Sequence, residues 1–210
     1  MKDFGDFRRV GDARGSNPGG TFRYTDGKRY YLKQPSKTRQ ASNEILASRY
    51  YNAVGLDAIQ YEYISNGMVA SPIREGLPAR SNPDDLKESA EVLESFMPSA
   101  LIANWDVIGL VYDNCLYDPD EMSRPVFLDF GGSFDTRAQG ASKMYDSRNI
   151  QAYKGFTDAA LNKSAATVYE PLDRQTFQAS KQRALRVGRS ELKEMMRDTP
   201  DGVREDLLSR

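Results

Sequence analysis

The chain has 210 residues, enough for one domain with a sizeable core or two small lobes around a cleft, and too few for several independent domains. Its 29 basic and 30 acidic residues leave a net charge of -1, so no overall field draws it to nucleic acid or to an anionic membrane. It has no histidine and a single cysteine, Cys115, which excludes a disulfide framework, Ser/His/Asp and Cys/His nucleophiles, and histidine-based zinc sites. What remains is chemistry that Asp, Glu, Asn, Lys and Arg can run, often with a hard cation that prefers oxygen ligands.

Residues 1–20 are polar and glycine-rich and end in "GSNPGG", which predicts a loop. The start, "MKDFGDFRRVGDARG", lacks the apolar segment of a signal peptide, and no apolar run is long enough to span a membrane, so a cytoplasmic protein is the expectation. "TFRYTDGKRYYLKQ" predicts a β-hairpin turning at Thr25, Asp26 and Gly27. "KTRQASNEILASRYYNAV" predicts a helix over 37–54 that stops at Gly55. In "AIQYEYISNGMVASPI" the Asn66-Gly67 pair predicts a second hairpin with a type I′ turn. Residues 1–73 therefore read as a small antiparallel sheet with one inserted helix.

Past Pro78 the pattern turns helical. "NPDDLKESAEVLESFM" predicts a helix with Asn82 as N-cap and Pro83 at its first position, and "PSALIANW" a second, shorter one. Two short strands, "NCLY" and "PVFLDF", flank the turn "DPDEMSRP". Beyond residue 150 the chain is helical in pattern and highly charged. The cluster of Lys181, Arg183, Arg186 and Arg189 there reads as a solvated helix face balanced by Glu191, Glu194 and Asp198 rather than a nucleic-acid surface.

Chemistry-bearing residues follow one another in a definite order. A glycine-rich loop (Gly15, Ser16, Asn17, Pro18, Gly19, Gly20) precedes a strand, Lys33 ends the next strand, and Glu44 lies in the helix that follows. Asp106, Asn114 and Asp129 surround the two short strands downstream. In phosphoryl transfer, positioning and charge neutralisation carry most of the catalysis. Glycines let backbone amides approach phosphate oxygens, a lysine supplies a point charge on a long stem, and a glutamate orients it. Asn114 and Asp129 offer oxygen ligands to Mg²⁺, and Asp106 is placed to take or orient the acceptor's hydroxyl proton.

That order resembles the protein-kinase-like fold, and within it the compact atypical branches such as the HipA-like and type II phosphatidylinositol 4-kinase-like proteins. The segments "GSNPGG", "YLK", "NEILASRYY", "NWDVIGL", "DN" and "DFGG" followed by "RAQG" look like small kinase-like proteins encoded by phages and prophages. The resemblance spans roughly residues 8–140. It implies that Lys33 meets the α- and β-phosphates of ATP and that Glu44 pairs with it. It also implies that Met68 to Ile73 form the hinge strand at the adenine, with Ser71 and Ile73 facing the base, that Asp106 is the catalytic aspartate, and that Asn114 and Asp129 hold the metal. Arg137, Gln139 and Gly140 fall where an activation segment begins. Two departures stand out. Asn104 and Trp105 replace the usual His-Arg before the aspartate, and eight residues separate Asp106 from Asn114, more than the family's usual spacing. The longer loop leaves both Asp106 and Asp113 as candidates to face the acceptor hydroxyl.

The expected architecture is α+β and two-lobed: a single kinase-like domain with an N-terminal lobe (1–73) built on an antiparallel sheet and one helix, and a mostly helical C-terminal lobe (74–210) with a short β-hairpin at the site. The expected function is Mg²⁺-dependent phosphotransfer from ATP to a protein acceptor, in a phage or prophage context, with a host or virion protein as partner. Two alternatives are an AMP transferase on the same fold and a non-catalytic phage assembly protein that has kept it.

Overall fold

The computed structural model describes residues 1–13, 18–137, 139–145 and 152–197. The first third builds an antiparallel sheet from β1 (Arg8–Gly11), β2 (Gly19–Arg23), β3 (Arg29–Lys33), β4 (Glu62–Tyr63) and β5 (Val69–Pro72), in the spatial order β1-β2-β3-β5-β4. Alternation gives the sheet two different faces. Phe22, Tyr30, Leu32 and Ala70 point outward and close over Phe7, Ile64 and Met68 as a small separate core. Thr21, Tyr31, Lys33 and Ser71 face the opposite way and line the cleft beneath. Their register, Thr21 opposite Tyr31 and Tyr31 opposite Ser71, sets them in one row across three strands.

Both expected hairpins form. Gly27 at φ +84° closes the first, and Asn66 and Gly67 take φ +78° and +72° in the second, the two positive values that a type I′ turn requires. The first twenty residues are not all loop: Arg8–Gly11 forms β1. Its side chains are mostly exposed, so it lacks the alternation that marks a strand in sequence, and its pairing to β2 slips at Val10.

Helix α1 (Thr38–Ala53) ends in a Schellman motif, with the Leu56 amide donating to the Tyr51 carbonyl (2.9 Å), the Gly55 amide donating to Asn52 (3.0 Å), and Gly55 at φ +84°. Nearly every side of α1 is buried, polar residues included, and its polar groups are met one by one. Ser42 shares a hydrogen bond with Tyr63 (2.8 Å), Ser48 donates to the Ile45 carbonyl (2.9 Å), and Asn43 and Glu44 reach into the other lobe.

The C-terminal lobe is helical: α2 (Pro83–Glu88), α3 (Ala90–Glu94), α4 (Phe96–Leu101), α5 (Ala152–Thr157), α6 (Lys163–Tyr169), α7 (Arg174–Ala184) and α8 (Arg189–Arg197), with a hairpin of β6 (Cys115–Leu116) and β7 (Val126–Phe127). The stretch read as one helix over 82–97 is broken at Ser89. Its hydroxyl caps the Val92 amide (3.4 Å) and its backbone is extended, so a new helix starts there. Phe96 is the hub of the lobe, with the rings of Tyr153, Phe156, Tyr169 and Phe177 at 5.1–6.1 Å and steep angles. Two residues of the basic cluster turn inward rather than to solvent. Arg183 pairs with Glu94 and donates to the Gly55 carbonyl (3.1 Å), and Arg186 donates to the Val54 carbonyl (3.4 Å), so together they close the C-terminal end of α1. Among the described residues no helix is long and apolar enough to cross a membrane.

Candidate active site

A cleft of about 590 Å³ separates the sheet from the β6–β7 hairpin. Its roof is Thr21, Tyr31, Lys33 and Ser71. Its inner wall includes Ile59 and Tyr61, its floor Leu116 and Leu128, and its far side Ile73 through Ala79. Asp113, Asn114 and Asp129 stand at the polar end beside Lys33, so apolar and charged halves adjoin in one opening.

Lys33 is the last residue of β3 and points below the sheet because Leu32 points above it. Its ammonium forms ion pairs with Glu44 and, at 3.1 Å, with Asp129 Oδ1, and it lies 5.3 Å from the centre of the Tyr61 ring. Lys33 is 8% exposed and Glu44 1%. Burial pulls the Lys33 pKa down, but the Glu44 and Asp129 carboxylates outweigh it and hold the ammonium above the ordinary lysine range. Glu44 is pulled both ways: burial pushes its carboxyl up to about 7, and Lys33 and a hydrogen bond from the Phe130 backbone draw it back only in part. Three distant segments, β3, α1 and the turn after β7, thus meet on one buried charge cluster.

Asp129 enters this cluster through its backbone. It sits in the left-handed region at φ +53° and its amide donates to the Tyr61 hydroxyl oxygen (3.0 Å). That turn sends Phe130 into the core against Tyr51 and Tyr61, with ring centres at 4.8 and 6.0 Å, and leaves the half-exposed Asp129 carboxylate facing the cleft. Asn114 is held from three sides: its amide donates to Ile108, its carbonyl accepts from Leu128, and its side-chain NH₂ donates to the Asp106 carbonyl (2.8 Å). With the NH₂ so engaged, the side-chain oxygen is the atom left to act as a ligand.

Asp106 lies half-buried beside the cleft rather than on its wall, while Asp113 is on the wall. Burial raises the Asp106 carboxyl to about 6, with Asp129 and Asp113 pushing the same way. The Asp113 carboxylate folds back over Gly109, where a Cβ would strike it, and Gly109 takes φ +78° to allow this. A hydrogen bond from the Asn114 side chain and the nearby Lys143 ammonium draw the Asp106 carboxyl back only in part.

Gly19 and Gly20 lie in β2 itself, with Gly19 opposite Lys33. A Cβ on Gly19 would run into the Leu32 carbonyl, and one on Gly20 would come within 2.9 Å of the Gly11 carbonyl. Gly15, Ser16 and Asn17 lie outside the described residues. Ser71 and Ile73 both line the cleft, and the Ile73 amide is already used, donating to Arg29 (2.9 Å).

The donor set suits a magnesium ion: one carboxylate and one amide oxygen face the cleft, and Mg²⁺ typically takes one or two protein ligands and completes its shell with phosphates and water. Among the described residues no three carboxylate, imidazole or thiol groups are gathered as a cation cage. Sequence reasoning overlooked Tyr61, which packs beside Lys33 and accepts the Asp129 amide, and Asp135 and Lys143, which tie the segment after Asp129 to its surroundings. Asp135 accepts from Arg39 (2.5 Å) and Asn43 (2.8 Å) of α1. None of the three had a spacing or motif to mark it.

No protein-family model and no curated protein sequence matches the chain. Solved structures do. The proinflammatory kinase CtkA of Helicobacter pylori superposes with a TM-score of 0.61 at 14% identity, over 99% of this chain and 90% of its own. The macrolide 2′-phosphotransferase MphH of Brachybacterium faecium gives a TM-score of 0.42 at 10% identity, over 95% of this chain and 94% of its own. The first of these likenesses, together with the sheet-over-helices architecture, makes the fold protein-kinase-like.

Proposed function

We propose that the protein is a Mg²⁺-dependent phosphotransferase that moves the γ-phosphoryl group of ATP to a hydroxyl acceptor, working as one domain with lobes 1–73 and 74–210. The observation that carries this reading is the ion-paired Lys33, held by Glu44 and by Asp129 at the polar end of a cleft whose other half is apolar. A nucleotide suits that division, with its base between Tyr31, Leu116 and Leu128 and its phosphates at Lys33.

In this reading Lys33 binds the α- and β-phosphates, and Glu44 keeps its ammonium pointed at them. Asn114 and Asp129 would hold Mg²⁺, which supplies charge neutralisation on the phosphate oxygens. Gly19 and Gly20, opposite Lys33 and Leu32 and without side chains, let the β2 backbone come close to the phosphates. Asp106 orients the acceptor hydroxyl and takes its proton as the acceptor oxygen bonds to the γ-phosphorus. The bond from that phosphorus to the β-bridging oxygen breaks, and ADP leaves carrying the electron pair. A protein acceptor completes the reading; among the described residues no helix is long and apolar enough to cross a membrane. The phage or prophage context, the cytoplasmic setting and a host or virion partner rest on the sequence resemblance alone.

Calorimetric titration with a non-hydrolysable ATP analogue tests the first half of the reading. Binding that requires Mg²⁺, weakens sharply in Lys33→Met and loses its Mg²⁺ dependence in Asp129→Ala supports it. A folded protein that binds no nucleotide at any Mg²⁺ concentration overturns it in favour of an assembly role.

A further inference from the structure

We infer that Lys143 is a positioning residue for the phosphoryl-transfer step, a fixed cation that locks the loop carrying Asp106 to the loop carrying Asp129. The inference rests on the phosphotransferase reading and adds to it a residue from outside the set that the sequence marked.

The Lys143 ammonium donates to the Ala103 carbonyl (2.5 Å) and to the Gly132 carbonyl. Ala103 lies three residues before Asp106, and Gly132 three residues after Asp129. One side chain therefore spans the roots of both carboxylate-bearing loops. Each root needs holding. Ala103 has φ +50°, a left-handed conformation costing a non-glycine residue about 1–2 kcal/mol. Its carbonyl also takes the Trp105 amide (3.0 Å), so Lys143 bonds to the atom that defines the turn into Asp106. Gly132 closes the short helical turn that follows Asp129, whose backbone is left-handed as well. Two strained turns joined by an ammonium that bonds to both cannot shift independently.

Lys143 is itself held in place. Its amide donates to the Asp135 carbonyl (2.8 Å), and Asp135 is fixed to α1 through Arg39 and Asn43. The following residue but one, Tyr145, packs its ring 5.6 Å from Phe134 and donates its hydroxyl to the Leu101 carbonyl (3.0 Å). The turn before it, closed between Arg137 and Ala141 (2.7 Å), sets Gly140 against Ser36 and Gln40 at the start of α1, with no room there for a Cβ. The strap from 130 to 145 is thus anchored at both ends, and the Lys143 stem reaches from it under the site. In many kinases the corresponding strap is ordered by a phosphate that recruits arginines. Here Trp105 stands directly before Asp106, where the usual arginine would be, and the bridging charge is a lysine already present in the chain.

The lock makes two linked demands. The separation between Asp106 and the Asp129 carboxylate must depend on Lys143, and the Lys33–Glu44 end of the cleft must not. Hydrogen exchange of the nucleotide-free protein reads the first without any assay of activity. In Lys143→Met, amides of 103–106 and of 130–134 lose protection together while those of β3 and α1 keep theirs. Loss at only one loop, or spread evenly through the C-terminal lobe, overturns the lock.

Steady-state kinetics read the second. Lys143→Met lowers kcat by about 100-fold, the scale of a roughly 1 Å misplacement of reacting groups, with KM for ATP changed less than threefold. Lys143→Arg, which keeps the charge and can bridge two carbonyls, recovers most of the loss and keeps the variant set informative if Lys143→Met is too unstable to assay. A variant with lower melting temperature but wild-type kcat below that temperature assigns Lys143 a purely structural role and refutes the positioning one. If the wild-type protein transfers no phosphoryl group at all, the functional reading has failed, and the exchange result still decides whether Lys143 joins the two loops.

Discussion

Replacing Lys33 with methionine removes the ammonium and keeps most of the stem, and the consequence for stability follows from what Glu44 then does. Glu44 is 1% exposed, so its carboxylate cannot turn to water. Stranding one member of a buried ion pair costs about 3–5 kcal/mol when the charge persists. Glu44 has another course, which is to take up a proton. Burial already holds its carboxyl at about 7 with Lys33 in place, and without the cation it rises further. The unfolded carboxyl titrates at its ordinary 4.5. A folded value raised above the unfolded one gives stability that is full at low pH and is lost as pH rises through the folded value, at about 1.4 kcal/mol per pH unit. In the wild type this loss is nearly complete by about pH 7. In Lys33→Met it continues past about pH 7, so the variant's deficit relative to the wild type grows as pH rises toward about 8.5, by at most about 1.4 kcal/mol per pH unit. Urea denaturation at about pH 6, 7 and 8.5 measures this directly. The double variant Lys33→Met, Glu44→Gln has no carboxyl left to titrate at this position, so its deficit relative to the wild type stops growing with pH. A deficit in Lys33→Met that is the same at all three pH values, or a double variant that tracks the single one, refutes the assignment of Glu44 as its buried partner.

Gly19→Ala brings a Cβ against the Leu32 carbonyl and 3.1 Å from the Lys33 Cα, backbone atoms that cannot swing aside. The pairing of β2 with β3 shifts, stability falls by about 2 kcal/mol, and KM for ATP rises; an unchanged melting curve contradicts this. Wild-type kcat/KM climbs as pH passes upward through about 6, where Asp106 ionises in the free protein, since the base must be charged to accept a proton. Asp106→Asn removes that limb and lowers kcat by about 10²–10⁴. If the limb survives in Asp106→Asn and vanishes in Asp113→Asn, the base is Asp113. Arg183→Ala strands Glu94 and removes one of the two arginine donors to the Gly55 carbonyl, leaving Arg124 (2.7 Å), and costs about 2 kcal/mol in chemical denaturation while nucleotide affinity holds. A loss of affinity there ties the α1 C-terminus to the site.

Much of the frame was legible because local rules dictate it. Gly27, the Asn66-Gly67 pair and Gly55 each stand where a positive φ is required, and the hairpins and the stop of α1 fall there. Lys33 and Glu44 were separable from ordinary surface charges only by their order along the chain, since no property of either residue alone foretells burial. What escaped the sequence was decided by tertiary partners. Arg8–Gly11 becomes a strand because β2 offers an edge, not because its own side chains alternate. Ser89 breaks a helix whose flanking residues would have continued it. Tyr61 and Lys143 act through contacts with residues distant in sequence. Tyr61 touches Lys33 and Asp129 from a strand-like run whose aromatic content explains itself as packing. Arg183 and Arg186 show the opposite error, where charges read as solvent-facing are spent on the carbonyls of another helix.

The most direct test of the central claim is transfer of label from ATP tagged on either the γ- or the α-phosphate, with Mg²⁺ and bacterial lysate, comparing the wild-type protein with Asp129→Ala. The account predicts γ-label on an acceptor with the wild type, and none with the variant. Label from the α-position instead makes the protein an AMP transferase, and γ-transfer that survives Asp129→Ala contradicts the site described here.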